Sequence, residues 1–206
     1  MWYLANPSTA PVREAMRQGM LGMIVTPAQG NLLPEGVVWG ADNGCYTNAY
    51  PGDEPFLKWL TAHAAHASRC LFAAAPDVVG DAAATLVRAA PLLPRIRAAG
   101  LPAALVAQDG LEDMAVPWAS LDVLFLGGST SWKLGPGARS LTRQALERGR
   151  AVHMGRVNSR RRMRYAAEIG CQSVDGTLIT YGPDVHLPRL LSWVREVRSE
   201  MPLWQG

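Results

Sequence analysis

Eight short apolar runs recur along the 206 residues, with longer amphipathic stretches between most of them, and that alternation leaves few folds open. The runs lie at residues 2–5, 21–26, 37–41, 70–75, 103–107, 123–126, 151–154 and 172–174. Runs so short and so evenly apolar suit parallel strands covered on both faces by helices. Helical periodicity predicts helices over residues 8–18, 54–67, 81–99, 138–148, 159–169 and 184–200, with Pro91 and Pro94 kinking or splitting the third. The links at 27–36 and 110–120 read as loops with a short turn. An open, doubly wound sheet would show a similar alternation. Closure is favoured because chemistry-bearing residues follow early and late strands alike, rather than gathering at one switch point. The expectation is one (β/α)8 TIM barrel spanning residues 1–206 as a single compact domain, for which 49% hydrophobic content supplies one sizeable core.

Apolar runs are broken well before the ~20 residues a membrane span needs, and the N-terminus lacks the basic-then-apolar pattern of a leader. A soluble, cytoplasmic protein is therefore expected. Cys45, Cys70 and Cys171 are far apart and read as core thiols. His63, His66, His153 and His186 lack metal-ligand spacing and read as structural, so neither a metal nor a cofactor is expected. The net charge of +3 says little by itself, but Arg156, Arg160, Arg161, Arg162 and Arg164 fall within nine residues after an apolar run. Such a cluster is either a solvated helix face or a polyanion site. Asn158 or Ser159 can cap the following helix, which would turn its amides and arginines towards the strand ends.

The residues just past the strands carry the chemistry. They are Asp42-Asn43-Gly44-Cys45-Tyr46, Asp77, Gln108-Asp109-Gly110, Gly127-Gly128-Ser129, Met154-Gly155-Arg156 and Asp175-Gly176-Thr177. In a closed parallel barrel these converge at one rim. Over about residues 37 to 177 the set resembles, in order, the tRNA-guanine transglycosylase superfamily. Those (β/α)8 enzymes exchange a guanine for a 7-deazaguanine, and some relatives in phages and bacteria act on DNA. The resemblance implies a role for each position. Asp42 matches the acid/base aspartate and Tyr46 the aromatic that stacks on the base. Asp77 matches the carboxylate reading the exocyclic amine and ring N–H. Gln108 matches the glutamine of a Val-Gln-Gly-Gly turn, with Asp109 in place of the first glycine. Gly127 and Gly128 match the pair whose N–H groups contact the base carbonyl, Met154 the methionine closing the base sandwich, and Asp175 the nucleophile.

The family's three-cysteine, one-histidine zinc site has no counterpart, the chain is shorter than a tRNA enzyme of the family, and Thr177-Leu178-Ile179 stands where Pro-Thr-Arg often follows the nucleophile. These differences move the expected substrate from tRNA towards DNA.

Chemistry supports the same assignment. Breaking an N-glycosidic bond builds positive charge on the sugar, which a carboxylate below the anomeric carbon can stabilise or bond. Asp175 is the candidate. A second carboxylate with a raised pKa, Asp42, can protonate the leaving base and deprotonate the incoming one. Lys133, Arg156, Arg160, Arg161 and Arg162 are placed to hold flanking phosphates. Trp132 either stacks on a base or covers the barrel mouth, and Asp81 and Asp109 read as helix N-caps.

The expected partners are a nucleic acid, DNA in preference to tRNA, and a free purine or 7-deazapurine base, with room for a second copy or a helper protein. Two alternatives use the same rim. One is a DNA glycosylase that admits water in place of a second base, and the other a phosphosugar-metabolising barrel with its phosphate held by Gly127-Gly128-Ser129 and the helix after Met154. A fourth possibility is a catalytically dead binding protein.

Overall fold

The computed structural model describes residues 1–200. Eight strands, β1 Trp2–Ala5, β2 Gly22–Val25, β3 Trp39–Ala41, β4 Cys70–Ala74, β5 Ala103–Ala107, β6 Val123–Leu126, β7 Ala151–Met154 and β8 Ser173–Asp175, pair in chain order into a closed barrel. Every pairing is parallel, and β8 returns to β1 with Val174 opposite Tyr3. The helices are α1 Ala10–Arg17, α2 Asp53–Ala62, α3 Ala82–Ala89, α4 Leu92–Ala98, α5 Thr130–Lys133, α6 Pro136–Glu147, α7 Arg160–Glu168 and α8 Pro183–Glu200. No helix among the described residues is long and apolar enough to cross a membrane.

Two apolar layers follow from the alternation of side chains along each strand. Leu4, Ile24, Phe72, Ala74, Ala104, Val106, Val123 and Phe125 fill the barrel. Their neighbours on the same strands, such as Tyr3, Met23, Leu105, Leu124 and Met154, join the helices in a larger outer core. The inner space is shared unevenly. A Cβ on Gly22 would stand 2.4 Å from Leu4 Cδ2, and one on Gly40 would stand 2.7 Å from Phe72 Cζ. Glycine on β2 and β3 therefore makes room for the bulk of β1 and β4.

The expected helix over 81–99 is split into α3 and α4 around Pro91, while Pro94 sits in the first turn of α4, where its missing N–H is tolerated. The two links expected as loops carry only short 3-10 turns, Pro27–Gln29 and Leu111–Asp113. The helix expected over 54–67 is shorter: α2 stops at Ala62 and a 3-10 segment covers Ala64–Arg69. The cause is local. The His63 ring donates through Nδ1 to the Trp59 carbonyl at 2.8 Å, and the His63 backbone N–H turns instead to Leu60 O at 2.9 Å, tightening the chain. Helix α5, just past β6, had no signal in the periodicity.

Candidate active site

The C-terminal ends of the strands form one rim, where (β/α)8 barrels carry their chemistry. Asp42 follows β3, Asp77 lies three residues beyond β4, Gln108 follows β5, Gly127 and Gly128 follow β6, and Met154 and Asp175 end β7 and β8.

Asp175 is largely shielded, its side chain 15% exposed. Its Oδ1 accepts the Arg156 N–H at 2.6 Å, and its carbonyl accepts the Val157 N–H at 2.6 Å. Burial pushes the carboxyl up to about 6, against the pull of the Arg156 N–H; the negative charge of Asp42 adds to the rise, while Lys133 and the Arg156 charge oppose it. Asp42 is likewise raised, first by burial, with the Gly44 N–H opposing and Asp77 adding to the rise. That N–H reaches Asp42 Oδ1 at 2.7 Å because Gly44 adopts φ +80°, a left-handed geometry that glycine takes without strain.

Asp77 heads a buried polar chain. Its Oδ1 accepts from Asn43 Nδ2 at 2.9 Å and its Oδ2 from Gln108 Nε2 at 2.7 Å, while Gln108 Oε1 accepts the Gly80 N–H at 3.1 Å. Asn43 also donates to Ala75 O, so two of its side-chain hydrogen bonds tie the end of β3 to the end of β4, while its Oδ1 accepts the Cys45 N–H within its own turn. Asn43 was not singled out from the sequence, although it lies inside the Asp42-Asn43-Gly44 turn. The Asp77–Gln108 pair is brought together as expected.

Arg156 knits the rim. It sits at φ +61°, the left-handed region that a side chain enters at a cost. Its Nη2 donates to both Gly127 O and Gly128 O at 2.5 Å, and its guanidinium lies 4.8 Å over the ring of Tyr46, which is 61% exposed. Tyr46 therefore stacks, but on a guanidinium of its own chain.

Several expected contacts are placed differently. The N–H groups of Gly127 and Gly128 both donate to Ala107 O at 3.0 Å, so these residues present carbonyls instead of amides. Met154 is 1% exposed and packs in the outer core, because His153 takes the inward position on β7 and the strand alternation turns Met154 to the helices. Lys133 is not a surface phosphate ligand: it is 3% exposed and donates through Nζ to Gly155 O at 2.5 Å. Burial lowers its pKa to about 8, with Arg156 adding and Asp175 opposing.

Arg160 is committed to Glu196 through two hydrogen bonds, at 2.7 and 2.8 Å, and Arg164 stands 3.7 Å from the same carboxylate. Arg161 is exposed and Arg162 half-buried near the start of α7, which is capped by Ser159. Asn158 instead accepts the Thr177 and Leu178 N–H groups, bridging the loops after β7 and β8.

Asp81 caps α3 as expected. Asp109 caps no helix and accepts from Ser129 N–H and Oγ–H at 2.6 Å each. Trp132 is half-buried against the core with its indole N–H on Glu112, which is the covering role. The three cysteines are buried and free. Among the described residues no group of three or more His, Cys, Asp and Glu is disposed to hold a metal ion.

No family model matches the chain, and no curated protein matches it. Solved structures do. It is similar to 3-hexulose-6-phosphate synthase from Salmonella typhimurium, with 12% identity, a TM-score of 0.50, and coverage of 95% of this chain and 99% of that one. What the two share is the barrel. Tryptophan synthase from M. tuberculosis matches at 15% identity and a TM-score of 0.49, over 92% of this chain and 65% of that one. The Bacillus subtilis YkuI protein, with an EAL domain and in complex with c-di-GMP and calcium, matches at 14% and 0.48, over 91% of this chain. The chain spans about half the length of the latter, 47%. At 12% identity the likeness to the 3-hexulose-6-phosphate synthase shows the (β/α)8 fold alone.

Proposed function

We propose that the chain cleaves a purine N-glycosidic bond in a nucleic acid and installs a 7-deazaguanine-type base in its place, with DNA the substrate in preference to tRNA. The observation that carries this reading is the pairing at one rim of two shielded aspartates, Asp175 and Asp42, each held above the usual carboxylate range and close enough for Asp42 to act on Asp175. Two carboxylates in unequal surroundings are what a nucleophile and a proton carrier require.

In the proposed reaction an ionised Asp175 oxygen bonds to the anomeric carbon as the C–N bond breaks. The electron pair leaves on the base nitrogen, which takes the proton of Asp42. The incoming base returns its own N–H proton to Asp42, its nitrogen bonds to the sugar carbon, and Asp175 departs as carboxylate. Lys133 and Arg156 favour the charged form of Asp175 at each end of the cycle. The Asp77–Gln108 pair, linked at 2.7 Å, offers acceptors and donors for a purine edge. Tyr46 offers the stacking face once the Arg156 guanidinium yields it.

A phosphosugar-metabolising barrel is the second reading. It draws on the fold shared with 3-hexulose-6-phosphate synthase over nearly the whole of both chains, and on a buried lysine of lowered pKa beside a carboxylate. The Ser129 N–H that would help hold its phosphate is bonded to Asp109 in this structure.

Incubation with labelled guanine and single-stranded DNA or tRNA separates the possibilities. Label entering the polymer is the expected result. Base release without label entry would give the hydrolytic glycosylase, and inertness towards both polymers together with turnover of a phosphosugar would replace the proposal with the second reading.

A further inference from the structure

His153 stands where a structural histidine has no evident reason to be. It is fully buried on β7, with its ring centroid 4.4 Å from those of both Phe72 and Phe125. Its Nδ1 lies 2.8 Å from Ser173 Oγ on the neighbouring strand β8. Its Nε2 is buried with no hydrogen-bond partner, and Asp175 Oδ1 stands 3.9 Å away. An unpaired polar atom in an apolar interior is costly, so one aimed at the candidate nucleophile needs a reason.

The ring is neutral, because burial, with the Lys133 charge adding, lowers its pKa to about 3. A neutral imidazole carries one N–H, and the other nitrogen is an acceptor. If Nδ1 held the proton, the Nε2 lone pair would face a carboxylate. If Nε2 holds it, the Ser173 hydroxyl donates to Nδ1 and the Nε2–H dipole points at Asp175. The field of an ionised Asp175 selects the second arrangement.

We infer that His153 is a positioning residue for Asp175: Ser173 sets its tautomer, and its Nε2–H is the donor onto which the ionised carboxylate closes from inside the barrel. The inference rests on Asp175 being the reactive carboxylate. At 3.9 Å the bond is not made in this structure, and a displacement of roughly 1 Å brings it into range. With the Arg156 N–H already on Oδ1 at 2.6 Å, a second donor on that oxygen leaves Oδ2 to the sugar. A neutral donor also favours the charged carboxylate without placing a second buried cation beside Lys133.

The other groups that act on Asp175 are Asp42 past β3, Lys133 past β6 and Arg156 past β7, and the Tyr3 phenol of β1 faces it as well. All are retained in the variants that test the idea. The carboxyl carbon of Asp175, assigned with Asp175→Asn, is followed by NMR titration of the isotope-labelled protein in the parent, His153→Phe, His153→Gln and Ser173→Ala, alongside the acid limb of kcat/KM. Phenylalanine fills the same space between Phe72 and Phe125 and removes the orphan nitrogen, so a merely structural histidine would leave the titration where it was.

The expected result is that Asp175 titrates at least half a pH unit higher in His153→Phe, roughly threefold in proton affinity. Ser173→Ala should show a smaller rise, and His153→Gln, which keeps a neutral N–H, should return towards the parent. Parent-like titration in both His153→Phe and Ser173→Ala overturns the inference. Should His153→Phe fail to fold, parent-like titration in Ser173→Ala overturns it alone. The NMR readout does not require base exchange. A shifted titration in a chain that exchanges no base would sink the functional reading and leave the positioning role standing, and an unshifted one in an active chain would do the reverse.

Discussion

Asp175 is under tension at neutral pH, and its variants should show it. A carboxyl held at about 6 in the folded chain against 3.8 for an ordinary aspartate binds its proton more tightly when folded. Its contribution to stability is therefore undiminished below pH 4, falls as pH rises between about 4 and 6, and is a full penalty above that window. Asp175→Asn should abolish base exchange, yet raise unfolding free energy at pH 7.5 by on the order of 2 to 3 kcal/mol, a gain that vanishes below pH 4. Urea titrations at the two pH values check the sign. In the parent, activity should decline about tenfold per pH unit below 6 as Asp175 takes up its proton.

Gln108→Leu tests the purine-reading pair. It strips Asp77 Oδ2 and the Gly80 N–H of a partner together, so it should cost about 1–3 kcal/mol in chemical denaturation and weaken free-base binding. At this scale the sequence was readable for identity but not for geometry. Asp42, Asp77, Gln108 and Asp175 reach one rim because each sits at or just past a strand end. The same reading took Met154 for a pocket wall, because which face of a three- or four-residue strand looks inward depends on register with its neighbours.

Among the elements, α7 divides the arginine cluster. Its first turn is capped by Ser159 Oγ, and Ser159→Ala should lower stability by about 1 kcal/mol. Arg160 faces α8 and is held by Glu196, whereas Arg161 is exposed and Arg162 half-buried beside it. Arg160→Ala should thus leave oligonucleotide affinity and its salt dependence as in the parent. Arg161→Ala and Arg162→Ala should each reduce the log–log salt slope by ~0.7 to 0.9 if they carry phosphates. Equal slopes for all three variants would mark α7 as a solvated face. Charge density along a chain announces a cluster, but it does not say which members a distant carboxylate has already taken; Glu196 is 36 residues from Arg160.

For the whole molecule, closure of the barrel sets both stability and the site. The inner layer is full where Gly22 and Gly40 admit Leu4 and Phe72, so Gly22→Ala should cost about 1–3 kcal/mol by overpacking, measured by thermal or urea unfolding. The sequence by itself determined the order of the strands and of every helix but α5, a break of the 81–99 helix at its prolines, and the strand-end placement of the carboxylates, and it favoured a closed parallel barrel over an open sheet. Those features follow from side-chain period, chain reach and the short list of ways to cover a parallel sheet, all of which are written locally. Only the tertiary structure decided which strand-end groups remain available. The Gly127 and Gly128 amides go to Ala107, the Arg156 guanidinium goes to the glycine carbonyls and Tyr46, and Lys133 withdraws to Gly155. Buried polar groups take partners from whichever strands close against them, and separations of about 20 to 30 residues between such partners put that choice beyond any local pattern.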